Sequence, residues 1–318
     1  MSSTQGESTT RITEWHEPVM GTVVEVQLVL AGTDADAEGQ LYISAAVEEM
    51  VRLQSVLSSV DPTSEFSRWA RNDITEISAE LTQVLSESAH WQRSSSGRFN
   101  PAVAELTEFW NNAQSAETMP DTASAQHVAD AIASPRWQTS RNDAVEQLGD
   151  CSVCTLNAFA KGWIVDRAVE HLLKHHSVRT VTVNAGGDLR RSGVDPLTVG
   201  IENPFRPFDN EPPIAALSIS NAAVATSGSA RKGFRIVDKN FGHVIDPRSG
   251  WPVEATVSLS VVADTAATAD ALATILGVQQ PTEAIDEANE KGIPIFIVDC
   301  DGRQHRSDPW KQIEVDLS

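Results

Sequence analysis

The chain has 318 residues, 41% of them hydrophobic and 21% charged, with a formal net charge of −20 at pH 7 and a sequence pI of about 4.7. That balance suits a soluble globular protein with a substantial core. The charge argues against nucleic acid, whose affinity rests on Lys and Arg neutralising phosphates, and against an anionic membrane surface. No stretch approaches the ~18 apolar residues of a membrane span.

Met1 to Thr10 is polar and Ser/Thr-rich, without the basic-then-apolar order of a secretory signal. The reading is a disordered tail over 1–13, a single domain over 14–318 and a cytoplasmic location. Val19 to Leu30 is β-branched and partly alternating and predicts a strand, whereas Ala46, Met50, Leu53 and Leu57 recur at helical spacing within 35–57. Asp61-Pro62 predicts a turn, a helix is expected over 79–95, and a shorter one is expected after Pro101. Residues 111–150 are polar and loosely patterned, suggesting short helices and loops.

The second half is more regular. Asn157 to His175 predicts an amphipathic helix with Val165, Val169 and Leu172 on one face, followed by a strand over 178–183. Further strands are expected over 197–201, 215–219, 234–237, 257–262 and 293–298, with helices over 266–276 and 282–290. Gly- and Asn-containing turns join several strand pairs, so hairpins outnumber parallel crossovers. The expected class is α+β with a largely antiparallel sheet.

Cys151, Cys154 and Cys300 are the three cysteines, too few and too odd in number for a disulfide framework. Cys151-Ser-Val-Cys154 lacks a second pair of soft ligands to complete a zinc site; it reads as part of a connecting segment.

Four segments could carry chemistry. In Ala266-Ala-Thr-Ala-Asp270-Ala-Leu-Ala-Thr274, the Asp and Thr lie one helical turn apart and offer two hard oxygens of the kind Mg²⁺ takes. An Ala-rich helix with an exposed Asp would read the same way. Asn157-Ala-Phe-Ala-Lys161-Gly sets a lysine at a helix start, where it meets either a phosphate or water. Val183-Asn-Ala-Gly-Gly-Asp188 follows a strand with paired glycines that suit either close approach of a ligand or a tight hairpin turn, and their spacing is not a dinucleotide fingerprint. Ala225-Thr-Ser-Gly-Ser229 is followed by Gly242-His243-Val-Ile-Asp246-Pro247-Arg-Ser-Gly250, which places His243 at a turn, a position open to either a base or a structural role. His171, His175 and His176 read as a polar helix end rather than a metal site.

The order of the motifs is more specific than any one of them. Met20-Gly21-Thr22, Ser64-Glu-Phe-Ser67-Arg68 and Gly97-Arg-Phe-Asn100-Pro101 precede the Ala-Lys-Gly helix start. Asn-Ala-Gly-Gly-Asp, Thr-Ser-Gly, His-x-Ile-Asp-Pro-x-x-Gly and Ala-Asp-Ala-Leu-Ala-Thr follow. From about residue 14 to residue 300 the chain resembles the ApbE family, the FAD:protein FMN transferases. The resemblance implies an ApbE-like fold of two closely packed lobes with FAD, the substrate, bound between them and Mg²⁺ against its pyrophosphate. It also implies attack by a Thr or Ser hydroxyl of an acceptor protein on the FMN-side phosphorus, with AMP leaving.

Carried over by position, the resemblance implies Asp270, Thr274 and the Ala158 carbonyl as Mg²⁺ ligands. It implies Met20, Arg98, Phe99, Asn100, Thr155, Lys161, His243 and Ile245 as FAD contacts, with Lys161 and His243 as the catalytic candidates. Thr155 and Asn100 stand where the family commonly has Asp, and Val60 stands where an aromatic residue is expected. An FAD pyrophosphatase giving FMN and AMP, and a non-catalytic FAD-binding protein, remain open alternatives at this point.

Overall fold

A computed structural model describes residues 8–32, 35–140, 144–193, 195–206, 211–228 and 233–316. The chain opens with a hairpin, β1 (Thr9–Val19) and β2 (Thr22–Ala31). Five helices follow: α1 (Ala35–Leu57), α2 (Glu65–Ala70), α3 (Ala79–Ser94), α4 (Val103–Ser115) and α5 (Thr122–Ile132). A small hairpin, β3 (Trp137–Thr139) and β4 (Val145–Gln147), leads to α6 (Ala160–Leu172). Seven strands come next: β5 (Val178–Ala185), β6 (Asp188–Ser192), β7 (Leu197–Ile201), β8 (Ala215–Ile219), β9 (Ala222–Gly228), β10 (Gly233–Ile236) and β11 (Lys239–Gly242). The chain then runs through β12 (Thr256–Ala263), α7 (Ala266–Gly277), α8 (Pro281–Lys291), β13 (Ile295–Asp299), β14 (Gln304–Arg306), α9 (Asp308–Lys311) and β15 (Glu314–Val315).

Eight strands form the central sheet in the order β1-β2-β5-β6-β9-β12-β13-β14, and every pairing in it is antiparallel among the described residues. The α+β reading and its antiparallel sheet are therefore as expected. One core cluster joins β2, β5, α1, α3, α6 and the start of α7 through residues such as Leu28, Met50, Leu85, Val165 and Val183. A second packs the β7–β8–β15 sheet against the central one through Leu217, Val224, Phe296 and Trp310. Leu259, Leu276 and Ile297 anchor a third, beneath α7 and α8.

Several boundaries differ from expectation. The strand begins at Thr9, paired with Ala31, so residues 9–13 of the expected tail are sheet; residues 1–7 lie outside the described residues. This is an edge strand with one wetted face, so Thr, Arg and Glu are admitted and the apolar signal fades. Met20 and Gly21 are not mid-strand. Both have positive φ, 52° and 71°, as the two central residues of a tight hairpin turn require. The predicted helix at 157–175 begins only at Ala160, because 151–159 is spent on turns.

Helices α6 and α7 approach closely at their N-terminal ends. A Cβ on Gly162 would lie 2.4 Å from the Ala266 carbonyl oxygen, so only glycine fits. Asp166, four residues on, is 2% exposed. It accepts the Ala266 and Ala267 amides at 2.9 Å each and pairs with Arg190 of β6 at 2.9 Å. Burial pushes its carboxyl up, while those donors favour its charged form.

Gly162→Ala is expected to lose ~1–3 kcal/mol despite its better helix propensity, because the added methyl meets backbone and not a flexible side chain. Urea unfolding tests this; an unchanged midpoint would mean that the two helices are not in contact there.

Candidate active site

A cleft of about 810 Å³ opens where α6, α7, the α3–α4 loop and the β5–β6 turn converge, a size within the range of small-molecule sites. Its walls include Arg98, Phe99, Asn100, Thr155, Ala158, Lys161, His243, Ile245, Asp270 and Thr274. Positions scattered over most of the sequence are thus gathered on one surface.

Thr265 caps α7 by accepting the Thr268 amide, and the alanines behind it are buried against the sheet and α6. This leaves Asp270 and Thr274 on the cleft side, one turn apart. Asp270 is only partly buried as a whole, yet its Oδ2 is sealed from solvent and has no hydrogen-bond partner among the described residues. Burial, and then the charge of Asp188, pushes its carboxyl well above the usual range, against Lys161 and the Gly162 amide. Lys161 Nζ lies 2.9 Å from Asp188 Oδ2. Burial disfavours the ammonium, but Asp188 and Asp270 together hold its pKa above the ordinary lysine value. Asp188 is itself 2% exposed and is pushed up by burial, with Lys161 opposing.

The donors fit a hard divalent cation. A sealed, unpartnered carboxylate oxygen, a hydroxyl one turn away and the Ala158 carbonyl line the same cleft, and all are oxygen ligands of the kind Mg²⁺ prefers. No group of three or more His, Cys, Asp or Glu is placed to hold a metal among the described residues, so substrate oxygens and water would have to complete such a shell.

Arg98 is not a free cation. Its Nε donates to the Ser95 carbonyl at 3.0 Å, and Nη1 and Nη2 donate to the two oxygens of Glu287 on α8 at 2.6 and 3.0 Å. Glu287 also accepts from Gln279 and Lys291. These donors, Arg98 foremost, hold its carboxyl down at about 2. Asn100 is occupied by structure: Nδ2 donates to the Ile132 carbonyl and Oδ1 accepts the Ala102 amide, both at 2.9 Å. An Asp carboxylate could not make the first bond, which accounts for the amide at this position. Phe99 is 2% exposed and belongs to the core as well as the cleft wall. Thr155 donates its amide to the Pro101 carbonyl at 2.8 Å, and its Oγ1 lies 3.1 Å from Ser59 Oγ.

His243 is exposed on the cleft wall just after β11. The loop that carries it is clamped by Trp110, whose indole donates to the Gly250 carbonyl at 2.8 Å and whose ring meets Trp251 and Phe241 at 5.1 and 5.3 Å. Asp246, beside it in the motif, serves that loop. It binds the Arg248 guanidinium at 2.8 and 2.9 Å and accepts the Arg248 amide.

Met20 does not line the cleft. Its amide donates to Gln54 Oε1 at 2.7 Å and its side chain packs on the core. The hairpin approaches only indirectly, through Thr22 against Gly186. Val60 is 85% exposed and does not line the cleft. Cys151 and Cys154 are free and buried in the turn before α6. Ser229 of the Thr-Ser-Gly segment lies outside the described residues. Asp188 and Glu287 were not singled out from sequence. The first ends a motif that was; the second carries no local signal.

The ApbE family model matches residues 20–297. The chain belongs to the ApbE family. The FAD:protein FMN transferase of Haemophilus influenzae is 24% identical over 305 residues, covering 91% of this chain and 87% of that protein. That of Vibrio cholerae is 25% identical over 306 residues, covering 92% and 90%. Among solved structures, the ApbE protein of Thermotoga maritima superposes with a TM-score of 0.79 at 22% identity, covering 97% of this ApbE chain and all of that one. The flavin transferase ApbE of Vibrio cholerae gives 0.75 at 21%, covering 96% of this chain and all of that one. These two structural likenesses establish the shared fold.

Glu287 has a lowered folded-state pKa, so its contribution to stability is present above the ordinary carboxylate value of 4.5 and is lost as pH falls through about 2. The stability difference between wild type and Glu287→Gln is therefore expected to be constant above about pH 5 and to shrink between 4.5 and 2. Urea midpoints measured across that range test it; a pH-independent difference would show that the carboxylate is not held ionised.

Proposed function

We propose that this chain transfers the FMN moiety of FAD to a Thr or Ser hydroxyl of an acceptor protein and releases AMP. The observation that carries this reading is the convergence of Asp270, Thr274, Ala158 and Lys161 on one cleft large enough for a dinucleotide. The names of the relatives support it.

The acceptor oxygen forms a bond to the FMN-side phosphorus as the bond from that phosphorus to the bridging oxygen breaks. The hydroxyl proton leaves, and the bridging oxygen departs on AMP. Transfers of this kind are catalysed mainly by positioning and charge stabilisation. Mg²⁺, held by Asp270, Thr274 and the Ala158 carbonyl, would supply neutralisation of the diphosphate. Lys161, oriented by Asp188, places a second positive charge on the same wall. His243 is assigned the hydroxyl proton, as the exposed imidazole among the residues that line the cleft. The Arg98 fork, Phe99, Thr155 and Ile245 contribute walls that hold FAD, while Asn100 shapes its loop.

Asp270→Ala is expected to retain the fold and to lose Mg²⁺-dependent flavinylation by ~10²-fold or more, the scale for removing a group that stabilises transition-state charge. Co-expression with an FMN-accepting domain, followed by a denaturing gel read for flavin fluorescence, checks it. Full labelling by the variant would remove Asp270 from the metal site. Release of FMN and AMP at the same rate with or without acceptor would identify water as the acceptor. Stoichiometric FAD binding with neither product would identify a binding protein.

His243→Ala is expected to slow transfer while leaving FAD affinity within about twofold, as expected of a proton acceptor that touches the acceptor hydroxyl. Unchanged turnover, or a loss accounted for by FAD affinity alone, would reject that role.

A further inference from the structure

Outside the groups already assigned, Glu287 is a highly coordinated side chain beside the cleft among the described residues. It lies on α8, which supplies none of the cleft wall, and is 189 residues from Arg98 in sequence. Its carboxylate receives four bonds: two from Arg98, one from Gln279 Nε2 at 2.8 Å and one from Lys291 Nζ at 2.6 Å. The pair is well shielded, with side-chain exposures of 13% for Arg98 and 18% for Glu287, unlike the open surface pairs that contribute little.

We propose that Glu287 is a positioning residue for FAD binding, acting through Arg98; this rests on the flavin-transferase reading above. A guanidinium is planar, so two parallel bonds to one carboxylate fix both its place and its orientation. With the Ser95 carbonyl on Nε, three of its five N–H groups are used. One N–H on each Nη remains for a ligand in the cleft that Arg98 lines. Without Glu287, Arg98 keeps its charge but is tethered only through Nε, and a ligand must then bear the entropy of ordering it.

The carboxylate also joins two walls. Gln279 lies just beyond α7, whose Asp270 and Thr274 line the cleft together with its C-cap Val278, while Arg98 belongs to the α3–α4 loop. Glu287 therefore sets the separation of the metal-facing helix and the arginine-bearing loop from a position that touches no ligand. The class of ligand it serves is an anionic dinucleotide, because the group it orients is a cation.

The test uses the full chain with FAD and Mg²⁺, reading FAD Kd by flavin fluorescence and KM and kcat by acceptor labelling. Glu287→Gln is expected to raise Kd and KM roughly tenfold, as for the loss of one charge-assisted contact, with kcat falling less. Glu287→Asp is expected to recover part of the loss. In an Arg98→Ala background, Glu287→Gln is expected to change Kd no further. Should Glu287→Gln fail to fold by circular dichroism, Arg98→Lys, which keeps the charge but loses the fork, is expected to show the same rise.

An unchanged Kd in the folded variant would overturn the proposal, as would an equal rise in the Arg98→Ala background. Tighter binding would show that Glu287 competes with FAD for Arg98 and would also overturn it. Failure of the wild type to bind FAD strikes the transferase reading and this proposal together, whereas wild-type binding with an indifferent Glu287 strikes this proposal alone.

Discussion

The site depends on one buried carboxylate. Asp166 projects from α6 onto the first two amides of α7 and is held from the other side by Arg190 of β6. Those amides are donors that an isolated helix leaves unsatisfied, at the positive end of its dipole. Helix α7 is so rich in alanine that it has little shape with which to lock its own position. Asp166 and the contact at Gly162 supply what its side chains cannot: a fixed height and rotation against α6. Asp270 and Thr274 inherit their places from that junction, as Lys161 and Ala158 do from the other side of it. Loss of Asp166 would remove the acceptors of both amides and leave the half-buried Arg190 with the longer contact to Glu170, at 3.5 Å.

The electrostatics of the cleft follow from this packing. A chain of net charge −20 must receive an anionic dinucleotide, yet the cations on the cleft wall are largely committed. Lys161 is shared between Asp188 and Asp270, and Arg98 is paired with Glu287. The wall around Asp270 therefore sets two carboxyl groups, both pushed up by burial, beside a single lysine, with one oxygen of Asp270 sealed and without a hydrogen-bond partner among the described residues. In the proposed reaction a divalent cation would satisfy that oxygen, favour the ionised carboxylate and present a positive face to phosphate. A wall of free lysines could bind the diphosphate unaided, but it would not require the Asp270–Thr274 pair.

Long periodic elements were legible in sequence because their own residues carry the signal. The spacing of Ala46, Met50, Leu53 and Leu57 marks α1, and the β-branched runs of β5 and β12 mark buried strands. The elements that were missed have weak local signals and owe their form to neighbours. β1 is a polar edge, α2 is six residues long, and β9 is a strand of small residues, Ala-Ala-Val-Ala-Thr-Ser-Gly, paired on both sides. In the site, the ordered motifs located most of the cleft residues, but residue type alone does not show which contacts each side chain makes within the fold. Asn100 resembles a lost carboxylate until its amide is found on a buried carbonyl. Met20 sits in a turn whose amide is tied to Gln54, a bond that no local sequence pattern marks. Glu287 could not be found from one sequence, since nothing near it in the chain distinguishes it from the other glutamates of α8.

The His-x-Ile-Asp-Pro-x-x-Gly segment shows why a motif can be structural and functional at once. Gly250 has φ +73°, and a Cβ there would lie 2.3 Å from the Ala125 carbonyl. Trp110 reaches the same glycine from α4. Asp246 ties down Arg248 within the turn. Most of the segment thus serves to press a loop from the second half of the chain into helices of the first. His243 and Ile245 are the parts that face the cleft. A mobile loop could present an imidazole at less conformational cost, but it would not hold the ring in register with the cleft residues of α6 and α7, as the proposed transfer requires. Transfer between two bound partners rewards that register more than it rewards basicity. The clamp at Trp110 and the cap at Asp166 are therefore two halves of one requirement.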